Sequence, residues 1–374
     1  MTRSASRSPM RGVVIGVCAL VVAVLFAAIV RQSWSDTSAA ADIVRAEQDG
    51  AATLHPMVTL LSELVEAQSS AVRGEAVDVD KVRGAVKALT DANSLYGGNL
   101  QTTQRLTDLN SQLESAFAKG PRGRDAYETY TPLVDLAIQM FRRIGDTSHL
   151  IHDPDLDSYY LMDAAIIRLP DAIVYAGRAT DLVTLAGGKA LAGEDQVRAA
   201  VARFTVSADA ESVSAGLTKS VASTTRSELG TNIADRLDTF KSATDDFAPP
   251  TMLAELSNPT DATALGASAR RVYAAATSLA HRLLNELQAL LQVRTAKLDA
   301  ERRLIAIATA AAAIVGLIML WFAIAGRPRR SPGRAFGAPE DTGVGSLAYA
   351  RELLESGELT PAGRGPARGN GNAL

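Results

Sequence analysis

Residues Gly12 to Val30 read GVVIGVCALVVAVLFAAIV, and residues Leu304 to Ala325 read LIAIATAAAAIVGLIMLWFAIA. Neither run carries a charge. Each supplies the roughly 20 apolar residues that a helix needs to cross the hydrocarbon core of a bilayer. Trp34 follows the first run and Trp321 lies near the end of the second, where interfacial aromatics belong. These runs predict transmembrane helices at 12–30 and 304–325 and divide the rest of the chain into an N-terminal segment 1–11, a long middle part 31–303 and a tail 326–374.

The arginines set the expected orientation. Arg3, Arg7 and Arg11 precede the first run, and Arg327, Arg329, Arg330 and Arg334 follow the second. Both ends therefore read as cytoplasmic, and the middle part as lying outside an inner or plasma membrane. Arg302 and Arg303 flank the opposite side and run against this trend. A cleaved signal peptide is the competing reading of the first run, with Ala39-Ala40-Ala41 as the small-residue site. That site lies well beyond the apolar run, and the run exceeds the usual signal core. Cys18 is the single cysteine, so no disulfide forms within the chain and packing alone must stabilise it. Val17 before Cys18, with most of the apolar run following it, argues against a lipoprotein anchor.

The middle part shows no strand-like alternation. Aromatic residues make up only 5% of the chain, and small aliphatic residues take their place, which suits helix-on-helix packing. Ile43, Leu54, Val58, Leu61 and Val65 recur at helical spacing, so a first helix is expected to run from the membrane to about Val72, broken by Gly74. A second helix is expected from Asp78 to Phe117, kinked or split at Gly97-Gly98. A third runs from Asp125 to Ile151, with Leu133, Leu136, Met140 and Ile144 on one side. A fourth opens at Asp153-Pro154, bends at Pro170 and ends at Gly187-Gly188. A fifth runs from Glu194 to Phe247 with a break near Gly230, stopped by Pro249-Pro250. A last helix starts near Pro259 and reads straight into the second span. The expected fold is all-α: an elongated antiparallel bundle of about six helices between two transmembrane helices, with two stacked four-helix modules inferred from the unequal lengths.

The most distinctive stretch is RRIGDTSHLIHDPDLDSYYLMDAAIIRLPDAIVYA, from Arg142 to Ala176. Capping accounts for much of it. Asp153 suits an N-cap and Pro154 the first helical position, while Asp155 and Asp157 place negative charge at the positive helix end. A calcium loop fails, because Ser158 stands where a glycine is required and Ala164 where a glutamate is required. A small-ligand or metal pocket built from His149, His152, Asp155, Asp157, Tyr159 and Tyr160, with Arg142 nearby, stays open beside the capping reading. His149 and His152 share a face if the helix reaches that far. Arg142, Arg143, Arg168 and Arg178 are candidates for binding an anion, although exposed bundle faces carry arginines routinely.

The stretch GDTSHLIHDPDLDSYYLMDAAIIRLPDAI resembles a segment in the extracytoplasmic sensor regions of bacterial methyl-accepting chemotaxis receptors, sensor histidine kinases and diguanylate cyclases. Leu290-Leu291-Gln292-Val293-Arg294 is similar to the run that leads into the second span of those proteins. The resemblance covers the layout of residues 40–325 but is specific over only about thirty residues. It implies a helical sensor that reads a small molecule and works as a dimer. In those families a HAMP linker and an output domain follow the second span. Here Gly326-Arg327-Pro328-Arg329 opens a Gly-, Pro- and Arg-rich tail that reads as mostly disordered, with one short helix near 346–355.

No catalytic pattern emerges. The four histidines are His55, His149, His152 and His281, and there is neither a phosphate loop after a strand nor a nucleophile elbow. The expectation is a non-enzymatic receptor with no cofactor and no bound metal, acting through a cytoplasmic signalling partner. The alternative is an envelope scaffold or assembly protein that uses its helical faces. Ala306, Ala310 and Ala313 place small residues where two helices can approach in lipid, which predicts a homodimer. The net charge of −3, with no basic stripe, predicts no nucleic-acid partner.

Overall fold

The computed structural model describes residues 9–152, 156–224, 228–249, 251–252 and 258–325. The expected caps Asp153 and Pro154, together with Asp155, the first eight residues and the tail with its expected helix at 346–355, lie outside them. So do the side chains of His152 and Asp157. Among the described residues all regular structure is helical, with no strand.

Two helices dominate. The first, α1, spans Pro9–Arg73 over 65 residues. The last, α9, spans Ala262–Ala325 over 64 residues. Both are long and apolar enough to cross a membrane. Their apolar stretches are uncovered by the rest of the chain, with Leu20 64% and Leu317 66% exposed. Ala39 to Ala41 lie in the middle of α1, without a break. Gly74, at φ +77°, ends α1 as the sequence predicts, its N–H donating to the Ala71 carbonyl at 3.0 Å. At the start of α9, Asp261 caps the helix, its carboxylate accepting from the N–H groups of Thr263 at 2.8 Å and Ala264 at 3.2 Å.

The helices between them depart from the expected boundaries in instructive ways. The second expected helix is two, α2 (Val79–Leu100) and α3 (Thr103–Lys119). The chain turns not at Gly97-Gly98 but at Gln101, which takes φ +54°. The glycine carbonyls accept the N–H groups of Gln101 and Thr102 there, so the pair supports the helix end rather than forming it. Then α4 covers Gly123–Thr147, followed by a 3₁₀ turn at Leu150–His152. After α5 (Leu156–Met162) comes a π-helical segment, Asp163–Arg168, and then α6 (Leu169–Leu185). Pro170, expected to bend a continuous helix, follows directly on that π segment. The wide register carries through Leu169, whose N–H donates to the Ala164 carbonyl, and ends at the proline, which has no N–H to donate. Finally, α7 (Gly193–Ser223) and α8 (Leu229–Phe247) part before Gly230, which sits inside the first turn of α8.

The core grows out of α1. Leu54, Val58, Leu61 and Val65 are buried as expected, but Ile43 is 45% exposed and belongs to a different face. Along α9, Val272, Ala276, Leu279, Leu283, Leu287 and Leu291 form the answering stripe. Each leucine taken fully out of water contributes about 1.5–3 kcal/mol. An exposed ion pair contributes about 0–1 kcal/mol, so packing of these stripes holds the fold. Helix α1 also packs against α2, α4 and α6, while α6 packs on α7 and α7 on α8. Contacts between α1 and α9 join Thr37 to Arg302, Gln48 to Thr295, His55 to His281 and Glu66 to Arg270. Partner numbers fall along one helix as they rise along the other.

Candidate functional site

The turn singled out in the sequence is only partly assembled into a site. His149 closes α4 as a left-handed residue at φ +64°, exposed, its N–H donating to the Asp146 carbonyl at 3.2 Å. This backbone role ends the helix before His152, so the shared helical face of the two histidines is not formed. Tyr159 and Tyr160 touch edge to face at 5.3 Å but serve different surroundings. Tyr159 is 43% exposed and lines a small groove of about 40 Å³ with Ile151, Met162, Asp163 and Ile167. Tyr160 turns to α7, where Gly216 leaves room for its ring and the Lys219 ammonium stands 5.5 Å from the ring centre. Neither His149 nor Arg142 lines the Tyr159 groove.

Three of the four suspected arginines face carboxylates. Arg142 reaches Asp171 at 3.5 Å, a long and exposed pair. Arg168 bridges Asp163 at 3.3 Å and Asp209 at 3.1 Å. Burial nevertheless pushes the Asp209 carboxyl up to about 6, with Arg168 pulling the other way. Arg178 pairs with Asp135 and lies over the Tyr175 ring at 5.7 Å. Of these, Arg178 lines a cavity of about 400 Å³ between α4, α6 and α7, with Tyr127, Tyr175, Leu182, Arg198 and Val201 among the walls. That volume falls in the range of small-molecule sites.

Two further polar features, one half-buried and one in the core, escaped the sequence reading. The first is on the α1–α9 seam. His55 and His281 stack with rings 5.4 Å apart and 8° from parallel, their Nδ1 atoms 3.1 Å apart. Thr59 meets the other His281 nitrogen at 3.3 Å. A single N–H between the two Nδ1 atoms requires at least one neutral ring. Burial lowers both pKa values, and the charge of His281 lowers that of His55 further. The second feature is Asp181 on α6, 1% exposed, which accepts from the Gln68 amide at 2.8 Å. Burial pushes its carboxyl up to about 7. The Ser69 hydroxyl, also buried, interacts with both the Asp181 carboxyl and the Tyr273 phenol, and burial also raises the Tyr273 phenol.

A sequence signal existed for some of this: two lone histidines and one aspartate within otherwise apolar helical stretches. What local spacing could not supply was the pairing, since His55 and His281 are 226 positions apart. Comparison with known protein families, curated proteins and solved structures finds no match to this chain.

Proposed function

We propose that this chain is a two-pass membrane receptor. In this reading residues 31–303 form an antiparallel helical bundle on the outer side, and both ends are cytoplasmic. One observation carries the proposal: α1 and α9 each run unbroken from an exposed apolar stretch into the buried core of the helical domain. At 1.5 Å per residue each is roughly 95 Å of continuous helix. A rigid element of that kind passes a displacement at the domain through the membrane to a cytoplasmic partner. The seam between the two helices is packed by leucine and alanine but interrupted by the His55–His281 pair. An interrupted seam has fewer apolar contacts holding one register. A ligand that binds one register better than another shifts the population between them.

The scaffold reading has its own observation. Val197, Val201 and Phe204 stand exposed at 55–62% along one face of α7, a stripe fit for a protein partner. Thermal-shift screening of the full chain in detergent against a metabolite library separates the two. A receptor gains melting temperature with its ligand by linkage. A broad screen without a hit, beside reproducible capture of one envelope protein that is lost on Phe204→Ser, would replace the receptor with the scaffold.

A further inference from the structure

We propose that the cavity between α4, α6 and α7 binds a small carboxylate with an apolar body, which deepens the receptor reading by naming the ligand class. The walls divide the work. Leu182, Val197 and Val201 give an apolar surface, and the Tyr127 and Tyr175 rings extend it. Arg178 and Arg198 supply the charge. A site of this size lined mostly by apolar groups, with a few convergent polar ones, takes a small organic molecule rather than a bare ion.

The guanidiniums determine which polar group the molecule carries. Arg178 is held by two contacts, Asp135 on one side and the Tyr175 face on the other. Asp135 takes one Nη2 donor, which leaves further N–H groups on a guanidinium that lines the cavity. A carboxylate oxygen can accept from them, and hydrogen bonds to an ionised donor are the stronger kind. Arg198 is engaged by Glu194, one turn earlier on α7, at 2.5 Å, but that pair is exposed, at 53% and 76%. Exposed pairs at this spacing are weak. A ligand carboxylate can therefore take the place of Glu194 on Arg198, with the Glu194 side chain released into solvent where its charge is screened. Asp135 stays on Arg178, so releasing Glu194 frees the single charge of Arg198, which suits one negative charge. A phosphate would bring a second charge that nothing in the walls offsets.

The test uses the full chain in detergent and isothermal titration with phenylacetate and 4-methylpentanoate, each beside its uncharged amide. Saturable binding of at least one acid is expected, with its amide weaker by about tenfold, the factor for one charge-assisted hydrogen bond. Arg178→Gln should weaken the acid by about tenfold and leave the amide unchanged. Val201→Glu, at an exposed position that tolerates a polar side chain, should abolish acid binding by repulsion. Glu194→Gln should tighten acid binding by roughly twofold to fivefold, because it removes the competing surface pair. Equal affinity for acid and amide, or acid binding unmoved by both Val201→Glu and Glu194→Gln, overturns the assignment. So does an absence of binding by both acids up to roughly 10 mM, the weak end of specific affinity. In that last case a different compound that raises the melting temperature would leave the receptor reading intact.

Discussion

Replacing Asp181 by Asn should stabilise the protein, and only above mildly acid pH. Asp181 lies on α6 against Gln68 of α1 and is 1% exposed. Its carboxyl is raised from 3.8 to about 7 by burial. A raised carboxyl binds its proton more tightly when folded than when unfolded, so the folded state loses stability as pH rises from about 4 to about 7. At about 1.4 kcal/mol per pH unit, the ionised form withholds at most roughly 4 kcal/mol at alkaline pH. Asparagine keeps an acceptor for the Gln68 amide and carries no charge. The histidines act in the opposite sense: their lowered pKa values cost stability as pH falls below about 6.5. Their contribution is common to both proteins and cancels in the difference. Thermal melts of the full chain in detergent, followed by far-ultraviolet circular dichroism across pH, should show the two proteins together near pH 4 and the variant higher by several degrees near pH 8. Parallel profiles, with a constant gap across that range, would refute the reasoning.

Gly177→Ala should destabilise the domain by about 1–3 kcal/mol through overpacking, because the new Cβ would lie 2.5 Å from Val65 Cγ1 and 3.2 Å from the Tyr273 hydroxyl. Adding Val65→Ala should recover part of that loss in a double-mutant cycle, and a Gly177→Ala protein that melts like the parent would show that α1 and α6 do not meet there. In native membranes, Val293→Cys in a Cys18→Ser background should crosslink to a second copy, since Val293 is 63% exposed on α9 just before the second apolar stretch. Only monomer at native expression levels would contradict the expected dimer.

Much of the fold was legible because it rests on long-period patterning. The charge-free runs, the stripe from Leu54 to Val65 and the stop at Gly74 all follow from local rules that hold at any depth in the chain. Ile43 misled because a helix of this length changes neighbours along its course, so a face that is buried at Leu54 need not be buried eleven residues earlier. The breaks at Gln101 and after Ser223 fell beside the glycines that seemed to mark them. A helix end is fixed by which carbonyls find donors, and composition reports this only loosely. The acidic turn drew attention by its unusual residues, yet His149 serves a helix end and Tyr160 packs on α7. Arg178 was visible as a candidate, but its cavity depends on α4 and α7 arriving from elsewhere in the chain.

Side-specific labelling tests the account most directly. Lys119 is exposed at the end of α3, within the part assigned to the outside. In a Cys18→Ser background, Lys119→Cys should react with a membrane-impermeant maleimide on intact cells. Ser331→Cys, beyond the second apolar run, should react only after permeabilisation. Labelling of Lys119→Cys only after permeabilisation would contradict an outward-facing domain held between two membrane helices.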